Sequence, residues 1–356
     1  MMSDLYHQTY QDEIFVKSQC IWHENTLVDF IRHNLIALGW QQDPEQIRRW
    51  TRGSRQVIVC LVDDIFSCNH DGSNTAYQFS PDTLVITDNW ISTPTVYQVA
   101  RVPNSFFGIY HHDPSDQLWK PDRRFCFSQR RIDSKRLELF LEIMYRAHDV
   151  PTRDRLDYVN MNCWSWDSPN QTDQDLRENF LRAFDNLNDA ARSTYSHLRD
   201  RFAQDMPLRN HTLTHEQMHV SAWINTVVET YSSDNTIAFS EKIFRVLCLP
   251  VPWMIYAGRN AVAYLRCLGF DVMHDVVQHR YDTLCEQQTL AYGDKPVDWI
   301  YEATETVDRL KSLPFADLSQ RCAKAAAHNR SQLLAMRQRW PGDFAQWWAQ
   351  LMPQLQ

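Results

Sequence analysis

The most constraining part of the chain is residues 234–258, whose pattern is typical of a helix followed by a buried strand. Ser240 is a favourable N-cap, and apolar side chains follow it at helical spacing until Pro250 ends the helix. Residues 253–256 then form a continuous apolar run of the kind found in strands buried on both faces, and Gly258 ends it. Such strands belong to parallel sheets covered by helices, so the stretch predicts an α/β fold.

Charged residues lie at the start of this predicted helix. Glu241 and Lys242 follow Ser240 in the first turn, and Glu229 ends the strand predicted at residues 223–228. In open α/β sheets, phosphorylated ligands bind beyond the carboxyl ends of strands and at helix N-termini. The pattern favours a phosphate site here. Taken alone, Glu241 is better explained as a partner of the helix dipole, and Lys242 as an ordinary surface lysine.

The length of the chain and its turn-rich segments indicate how it divides into domains. A chain of 356 residues favours two domains over one core, and the best linker is the Pro-, Asp- and Ser-rich segment at residues 114–121. We therefore predict one α/β domain over residues 1–120, a second over 121–315, and a helical segment over 316–356 that packs back on them. In the first domain, a helical pattern spans residues 14–50, with Gly39 as an expected helix stop. Strand candidates lie at residues 56–62, 83–87, 97–102 and 106–110.

The second half of the chain alternates between short apolar strands and longer amphipathic helices. Strands are predicted at residues 125–128, 158–161, 223–228, 253–256 and 270–273, and helices at residues 134–147, 175–202, 241–249 and 260–268. Asn260 is the expected N-cap of the last of these helices, and Gly269 is its expected stop. This alternation is typical of a parallel sheet that is covered on both faces.

A basic cluster follows the predicted linker. Residues 123–136 contain six cations, namely Arg123, Arg124, Arg130, Arg131, Lys135 and Arg136. Guanidinium groups match phosphate oxygens through paired hydrogen bonds, so a cluster of this kind suits a diphosphate. The alternative is a basic face that is only solvated.

Short motifs within residues 123–282 resemble the C-terminal domain of the α-1,3-fucosyltransferases. They are Phe125-Cys126-Phe127-Ser128, Arg136 followed by Phe140, Glu229-Thr230, Ser240-Glu241-Lys242 and Pro252. A group of related glycosyltransferase-like proteins from tailed bacteriophages and bacteria is more similar still. With that group the chain shares Val228-Glu229-Thr230, Ser240-Glu241-Lys242, Pro252, Tyr264-Leu265-Arg266, Gly269-Phe270 and Tyr281-Asp282.

The resemblance implies a GT-B glycosyltransferase, with two Rossmann-like domains facing across a cleft and with C-terminal helices. The N-terminal domain would hold the acceptor, and the C-terminal domain would hold the nucleotide sugar. Arg136 and Lys242 would neutralise the donor diphosphate, and Glu241 would hydrogen-bond the ribose. The same nucleotide-sugar site would include Arg130, Arg131, Glu229 and Ser240. No cofactor is expected, because two cations and a helix N-terminus can stabilise a departing nucleoside diphosphate without a metal ion.

The catalytic base is the least defined part of this hypothesis, because the acceptor-side carboxylate motif of the fucosyltransferases is not recognisable in the N-terminal half. An inverting transfer needs a carboxylate near the acceptor hydroxyl. Asp63 and Asp64 are the best placed, at the carboxyl end of the first strong strand. The alternative for each is a strand-end Asx turn. His111 and His112, at another predicted strand end, are secondary candidates.

The string His215-Glu216-x-x-His219 indicates a competing function. On a helix it places two imidazoles one turn apart to bind zinc, with the glutamate as the general base of a peptidase. The helical scaffold of such peptidases continues toward a third ligand, whereas residues 220–228 have the pattern of a strand. We therefore predict no bound metal. Two alternatives to the glycosyltransferase remain: a zinc metallopeptidase, and a GT-B module that binds a nucleotide or glycan without catalysis.

Composition and charge restrict the partners. Apolar residues make up 44% of the chain and charged residues 22%, which predicts a chain that folds throughout. The nine cysteines are odd in number and form no Cys-x-x-Cys pair, and no apolar run reaches the length of a membrane span, so we predict a cytoplasmic protein. If the protein is phage-encoded, this means the host cytoplasm. The net charge of −8 favours a glycan or small-molecule acceptor over hydroxymethylated phage DNA.

Overall fold

The computed structural model of the protein shows a mixed α/β fold with sheets of parallel strands. It describes residues 24–45, 48–61, 81–87, 90–91, 97–103, 118–129, 137–138, 140–141, 159–163, 173–205, 215–229, 232–233, 236–237, 239–283 and 299–356. The helices in these ranges are α1 (Glu24–Ala37), α2 (Asp173–Asp185), α3 (Asp189–Asp205), α4 (His215–Val220), α5 (Glu241–Leu247), α6 (Ala261–Cys267), α7 (Trp299–Lys311) and α8 (Phe315–Leu355). The strands are β1 (Gln41–Gln42), β2 (Arg49–Arg52), β3 (Arg55–Cys60), β4 (Thr83–Thr87), β5 (Trp90–Ile91), β6 (Gln98–Arg101), β7 (Arg123–Gln129), β8 (Val159–Cys163), β9 (Ala222–Val228), β10 (Ser232–Ser233), β11 (Thr236–Ile237) and β12 (Trp253–Tyr256).

The first sheet has the strand order β1-β2-β3-β4-β6. Its β3–β4 and β4–β6 pairs are parallel, and its β1–β2 and β2–β3 pairs are antiparallel. The strands predicted at residues 56–62, 83–87 and 97–102 are confirmed. Within residues 14–50, the predicted helix stop at Gly39 is confirmed, whereas the helical pattern does not continue beyond it. Helix α1 ends at Ala37, Gly39 takes a φ of +82°, and the chain then returns as β1 and β2.

The second sheet has the order β12-β9-β7-β8, and every pair in it is parallel. All four residues of β12 are buried, which confirms the strand predicted from their continuous apolar run. Strand β9 begins at Ala222 and is followed by Glu229, as predicted. The described residues of the segment predicted as a helix at 134–147 are helical, and their side chains at Leu137, Phe140 and Leu141 are buried.

A small antiparallel sheet of β10, β11 and β5 joins the two larger ones. In it, Thr236 pairs with Ile91, and Ile237 pairs with Trp90. Strand β5 comes shortly after the carboxyl end of β4, whereas β11 lies between β9 and α5. The chain leaving the first sheet is therefore hydrogen-bonded to the chain leaving the second.

Two predicted elements of the second half are wrong, and in both a side chain redirects the backbone. The helix predicted over residues 175–202 is two helices, because the Asn188 side chain accepts the Ala191 backbone N–H at 2.9 Å and starts α3. The strand predicted at residues 270–273 is irregular. Asp271 Oδ1 accepts the Met273 N–H at 2.9 Å, and Met273 has a φ of +52°.

Helix α8 contacts elements of both large sheets. In its first half, Asn329 donates to the carbonyl of Leu247 at the end of α5, at 3.0 Å. At its end, the carbonyl of Leu355 accepts from Trp40 Nε1 at 3.0 Å. Buried apolar residues from both sheets and from α8 form one hydrophobic cluster. Among the described helices, none combines the length and the apolar character of a membrane span.

Candidate functional site

The candidate site is built on Glu229, the residue that follows β9. Its side chain is 2% exposed, and its Oε1 accepts the backbone N–H of Ser240 at 3.1 Å. The backbone N–H of Glu229 in turn donates to the carbonyl of Tyr256, the last residue of β12, at 3.0 Å. Glu229 thus links the start of α5 through its carboxylate and the carboxyl end of β12 through its backbone.

Ser240 caps α5 as the sequence predicts. Its Oγ accepts the backbone N–H of Lys242 at 3.3 Å, and the Lys242 ammonium donates to the same oxygen at 3.2 Å. Lys242 is half-buried. Its hydrogen bond to Ser240 Oγ holds the ammonium charge beside the first turn of the helix. Glu241 is the first residue of α5. Its side chain lies outside the described part of the protein, so its contact with a ribose stays a prediction.

This geometry changes how the start of α5 can receive a phosphate. The helix has seven residues, and the backbone N–H groups of Ser240 and Lys242 are already hydrogen-bonded to Glu229 and to Ser240 Oγ. The helix terminus therefore has fewer N–H groups to offer an anion than an uncapped one. A phosphate bound here would rely on the Lys242 ammonium more than on the helix terminus.

Two aromatic rings and an arginine lie next to this capped turn. Phe239, the residue before Ser240, packs parallel to the ring of Tyr264 in α6, with 5.8 Å between centroids and 3° between planes. The guanidinium of Arg101 lies over the Tyr264 ring, 5.5 Å from its centroid. Arg101 is the last residue of β6 in the first sheet, and α6 follows β12 in the second. The carboxyl ends of parallel strands from both sheets therefore meet beside Ser240 and Lys242.

A second carboxylate holds the start of α6. Asp282 accepts the backbone N–H groups of Val262 and Ala263 at 2.7 and 2.9 Å. The predicted cap, Asn260, occupies the cap position with a φ of +65°, but its side chain makes no capping hydrogen bond. Burial raises the pKa of the Asp282 carboxyl, and its two backbone hydrogen bonds oppose that rise.

The basic cluster of residues 123–136 is divided by β7. Arg123 and Arg124 begin this strand, whereas the other four cations follow its carboxyl end. Strand β7 is seven residues long and spans roughly 20 Å. Arg124 forms an ion pair with Asp308 of α7 and is largely buried. Arg123 and Arg124 therefore lie at the amino end of β7, away from the carboxyl ends of the strands, where a diphosphate is expected.

Several predicted site residues cannot be placed. The side chains of Asp63, Asp64, His111, His112, Arg130, Arg131, Lys135 and Arg136 lie outside the described residues. Their predicted roles stay predictions.

The histidine of the zinc-like string that can be placed is His219, at 3% exposure. Its Nδ1 donates to Asn225 Oδ1 at 2.6 Å and lies 3.5 Å from Cys126 Sγ. Burial raises the pKa of the Cys126 thiol to about 12. Helix α4 ends at Val220 and β9 begins two residues later, which confirms the strand on which the argument against a zinc peptidase rests.

The side chains of His215 and Glu216 lie outside the described part of the chain. Within that part, no three His, Cys, Asp or Glu side chains cluster as metal ligands would. The absence of a bound metal stays a prediction.

No family model, curated protein or solved structure matches the chain. The resemblance to the fucosyltransferases therefore depends on the motif residues alone.

Sequence reasoning missed Arg101 and gave Tyr264 no role. A signal for Arg101 existed, because it lies at the carboxyl end of a correctly predicted strand, where ligands of parallel sheets bind. What no local pattern contains is the contact between Arg101 and Tyr264, which are more than 160 positions apart in the sequence.

Proposed function

We propose that this protein is a glycosyltransferase that moves a sugar from a nucleoside-diphosphate sugar to a hydroxyl acceptor, on a GT-B-like arrangement of two α/β units. The observation that carries the proposal is the meeting of the two sheets. Parallel strands of both end beside Glu229, Ser240 and Lys242, and this edge is where α/β sheets bind nucleotides. In the proposed arrangement, the second sheet binds the nucleotide-sugar donor and the first sheet binds the acceptor.

The proposed roles follow from the contacts. Lys242 binds the donor diphosphate, because its ammonium is fixed beside the turn by Ser240 Oγ. Glu229 accepts the Ser240 N–H and so orients the turn, acting through its neighbour and not through the ligand. Arg136, and with it Arg130 and Arg131, supplies further positive charge after β7. Fixed cations of this kind stabilise the charge that develops on the departing nucleoside diphosphate.

The acceptor side of the proposal uses Asp63 or Asp64. Either carboxylate, which follows β3 in the sequence, would take the proton of the acceptor hydroxyl as the sugar is transferred. The proton moves to the carboxylate, the hydroxyl oxygen bonds to the anomeric carbon, and the nucleoside diphosphate leaves with the electron pair of the broken bond.

The first test is ligand binding. Thermal unfolding is measured with GDP, UDP, CMP and their sugar conjugates, because a ligand at 100 times its dissociation constant stabilises the fold by about 2.7 kcal/mol. Calorimetric titration of the best ligand then compares the wild type with Lys242→Ala. We expect about 10- to 100-fold weaker binding, since a hydrogen bond to a charged group contributes about 1.5 to 3 kcal/mol.

Lys324→Ala is the matched control, because Lys324 is an exposed lysine on α8. Its affinity should equal that of the wild type. If no nucleotide stabilises the wild-type protein, the proposal is wrong. Release of sugar from the bound donor, onto an acceptor or onto water, distinguishes an enzyme from a module that only binds.

A further inference from the structure

The Arg101 side chain crosses from the first sheet to the second. Arg101 is exposed, and its guanidinium carbon lies 5.5 Å from the centroid of the Tyr264 ring. On Tyr264, the buried ring of Phe239 packs in parallel at 5.8 Å. Phe239 therefore fixes the plane of Tyr264, and Tyr264 presents a fixed surface to the guanidinium.

A guanidinium held over an aromatic ring is prepared to bind an anion. The cation–π attraction acts between its charge and the ring face, and it limits the conformations of the long side chain. An arginine held in this way has the fork geometry that matches two phosphate oxygens, and it loses less conformational freedom on binding. A lysine ammonium has neither the flat face nor the fork.

The position of this stack relates it to the donor site. Phe239 is bonded to Ser240, whose Oγ holds the Lys242 ammonium at 3.2 Å. Arg101 belongs to β6 of the first sheet, and it reaches this region through its contact with Tyr264. A diphosphate carries charge on two phosphorus centres, so two cations suit it better than one.

We propose that Arg101 is a second binding residue for the donor diphosphate, supplied by the first sheet, and that Tyr264 is its positioning residue. The inference rests on the proposed function, and it deepens that function by making the donor site a joint product of both sheets. It also predicts that inorganic pyrophosphate, which has neither base nor sugar, is recognised by the same pair of cations.

The experiment is calorimetric titration of inorganic pyrophosphate, GDP and UDP into five variants. Arg101→Ala and Arg101→Lys should each weaken binding about 10-fold or more, because neither side chain can form the fork. Tyr264→Leu should weaken it by about 2- to 5-fold through loss of the cation–π contact, and Tyr264→Phe should restore it. The pyrophosphate and nucleotide affinities should fall together.

The first sheet supplies a matched control in Arg55→Ala. Arg55 is also exposed, and its guanidinium also lies 5.5 Å from a ring centroid, that of Trp40. It begins β3, however, and so lies at the amino end of the strand. This variant should bind the ligands as the wild type does, and the unliganded melting temperatures of the Arg101 variants should stay near that of the wild type.

The outcomes separate this inference from the function on which it rests. A wild-type protein that binds none of the ligands overturns both. A wild-type protein that binds while Arg101→Ala binds equally well overturns the inference alone. An equal loss in Arg55→Ala, or a Tyr264→Phe variant as weak as Tyr264→Leu, also overturns it.

Discussion

Tyr281 and His279 form a continuous chain of hydrogen bonds between the backbone groups of Ile255 and Val272. The Tyr281 hydroxyl accepts the Ile255 N–H at 3.0 Å and donates to His279 Nδ1 at 2.7 Å. His279 Nε2 donates to the carbonyl of Val272 at 2.8 Å. Each group uses the donor or acceptor that its neutral form provides. The chain therefore requires a neutral histidine, and burial lowers the pKa of His279 to about 4.

The first prediction at the residue scale is a pH dependence of stability. The pKa of His279 is lower in the folded protein than the ordinary value of about 6.5, so its contribution is complete above that pH and is lost as the pH falls toward 4. We expect the free energy of unfolding to fall by about 3 kcal/mol between pH 7 and pH 4 from this group alone. Urea denaturation at a series of pH values measures it.

Other groups titrate in the same range, so the comparison must be between variants. His279→Phe should lose stability at pH 7 but lack this step, whereas His33→Gln, a change at an exposed histidine of α1, should keep it. A step of the same size in His279→Phe would show that His279 is not its source.

At the scale of elements, the patterns that succeeded are those set by apolar burial. The buried run of β12 and the capped, Pro-terminated helix α5 were predictable, because one sequence window contains both the burial pattern and the stop signals. The failures at residues 175–202 and 270–273 occur where Asn188 and Asp271 bond the backbone. At these positions a polar side chain accepts a backbone N–H and interrupts the regular element that the surrounding apolar spacing predicts.

The same division holds for the candidate site. Glu229, Ser240 and Lys242 were predictable because they lie at a strand end and a helix start, which local patterns define. The Glu229 to Ser240 hydrogen bond was not, since it depends on how the loop between β9 and α5 folds. The split of the basic cluster also follows only from the bounds of β7, which begins earlier than the apolar run suggests.

A prediction for one element concerns the cap of α6. Asp282→Ala removes the acceptor for the Val262 and Ala263 N–H groups and should lower the free energy of unfolding by about 1 to 2 kcal/mol, as the loss of an N-cap does. Asp343→Ala is the control, because Asp343 is an exposed aspartate. Denaturant titration at pH 7 compares them. Equal stabilities of the two variants would show that the cap contributes nothing.

At the scale of the whole molecule, α8 determines how the two halves behave together. Its Phe344 is 4% exposed and packs against Phe30 of α1, with 5.7 Å between centroids, and against Trp340, with 5.3 Å. Its earlier residue Asn329 is bonded to the carbonyls of Leu247 and Asp271 in the second half. One rigid helix thus spans elements that precede and follow the predicted domain boundary.

We therefore expect one cooperative unfolding transition for the whole chain. Phe344→Ala should lower the free energy of unfolding by about 3 to 5 kcal/mol without splitting the transition. Leu334→Ala, at a position of the same helix that is 53% exposed, should change it by about 0.5 kcal/mol or less. Differential scanning calorimetry decides the matter, and two resolved transitions in the wild type would contradict the coupling.

The net charge of the whole molecule bears on which acceptor the proposed glycosyltransferase uses. A protein that modifies duplex DNA neutralises several phosphates with a basic surface. This chain has a net charge of −8, and its densest basic cluster is divided by β7, with Arg124 engaged by Asp308. The acidic net charge and the engagement of Arg124 both disfavour duplex DNA, so we expect a glycan or small-molecule acceptor.

Binding to unmodified and to hydroxymethylated duplexes, measured across a series of salt concentrations, tests this expectation. A protein that contacts six or more phosphates loses about 1,000-fold or more in affinity between 50 and 200 mM salt. We expect weak binding to both duplexes with a shallow salt dependence, and no transfer of labelled sugar to either. Tight binding with a steep dependence, or label on the hydroxymethylated duplex, would mean that local charge at the acceptor wall outweighs the acidic character of the whole chain.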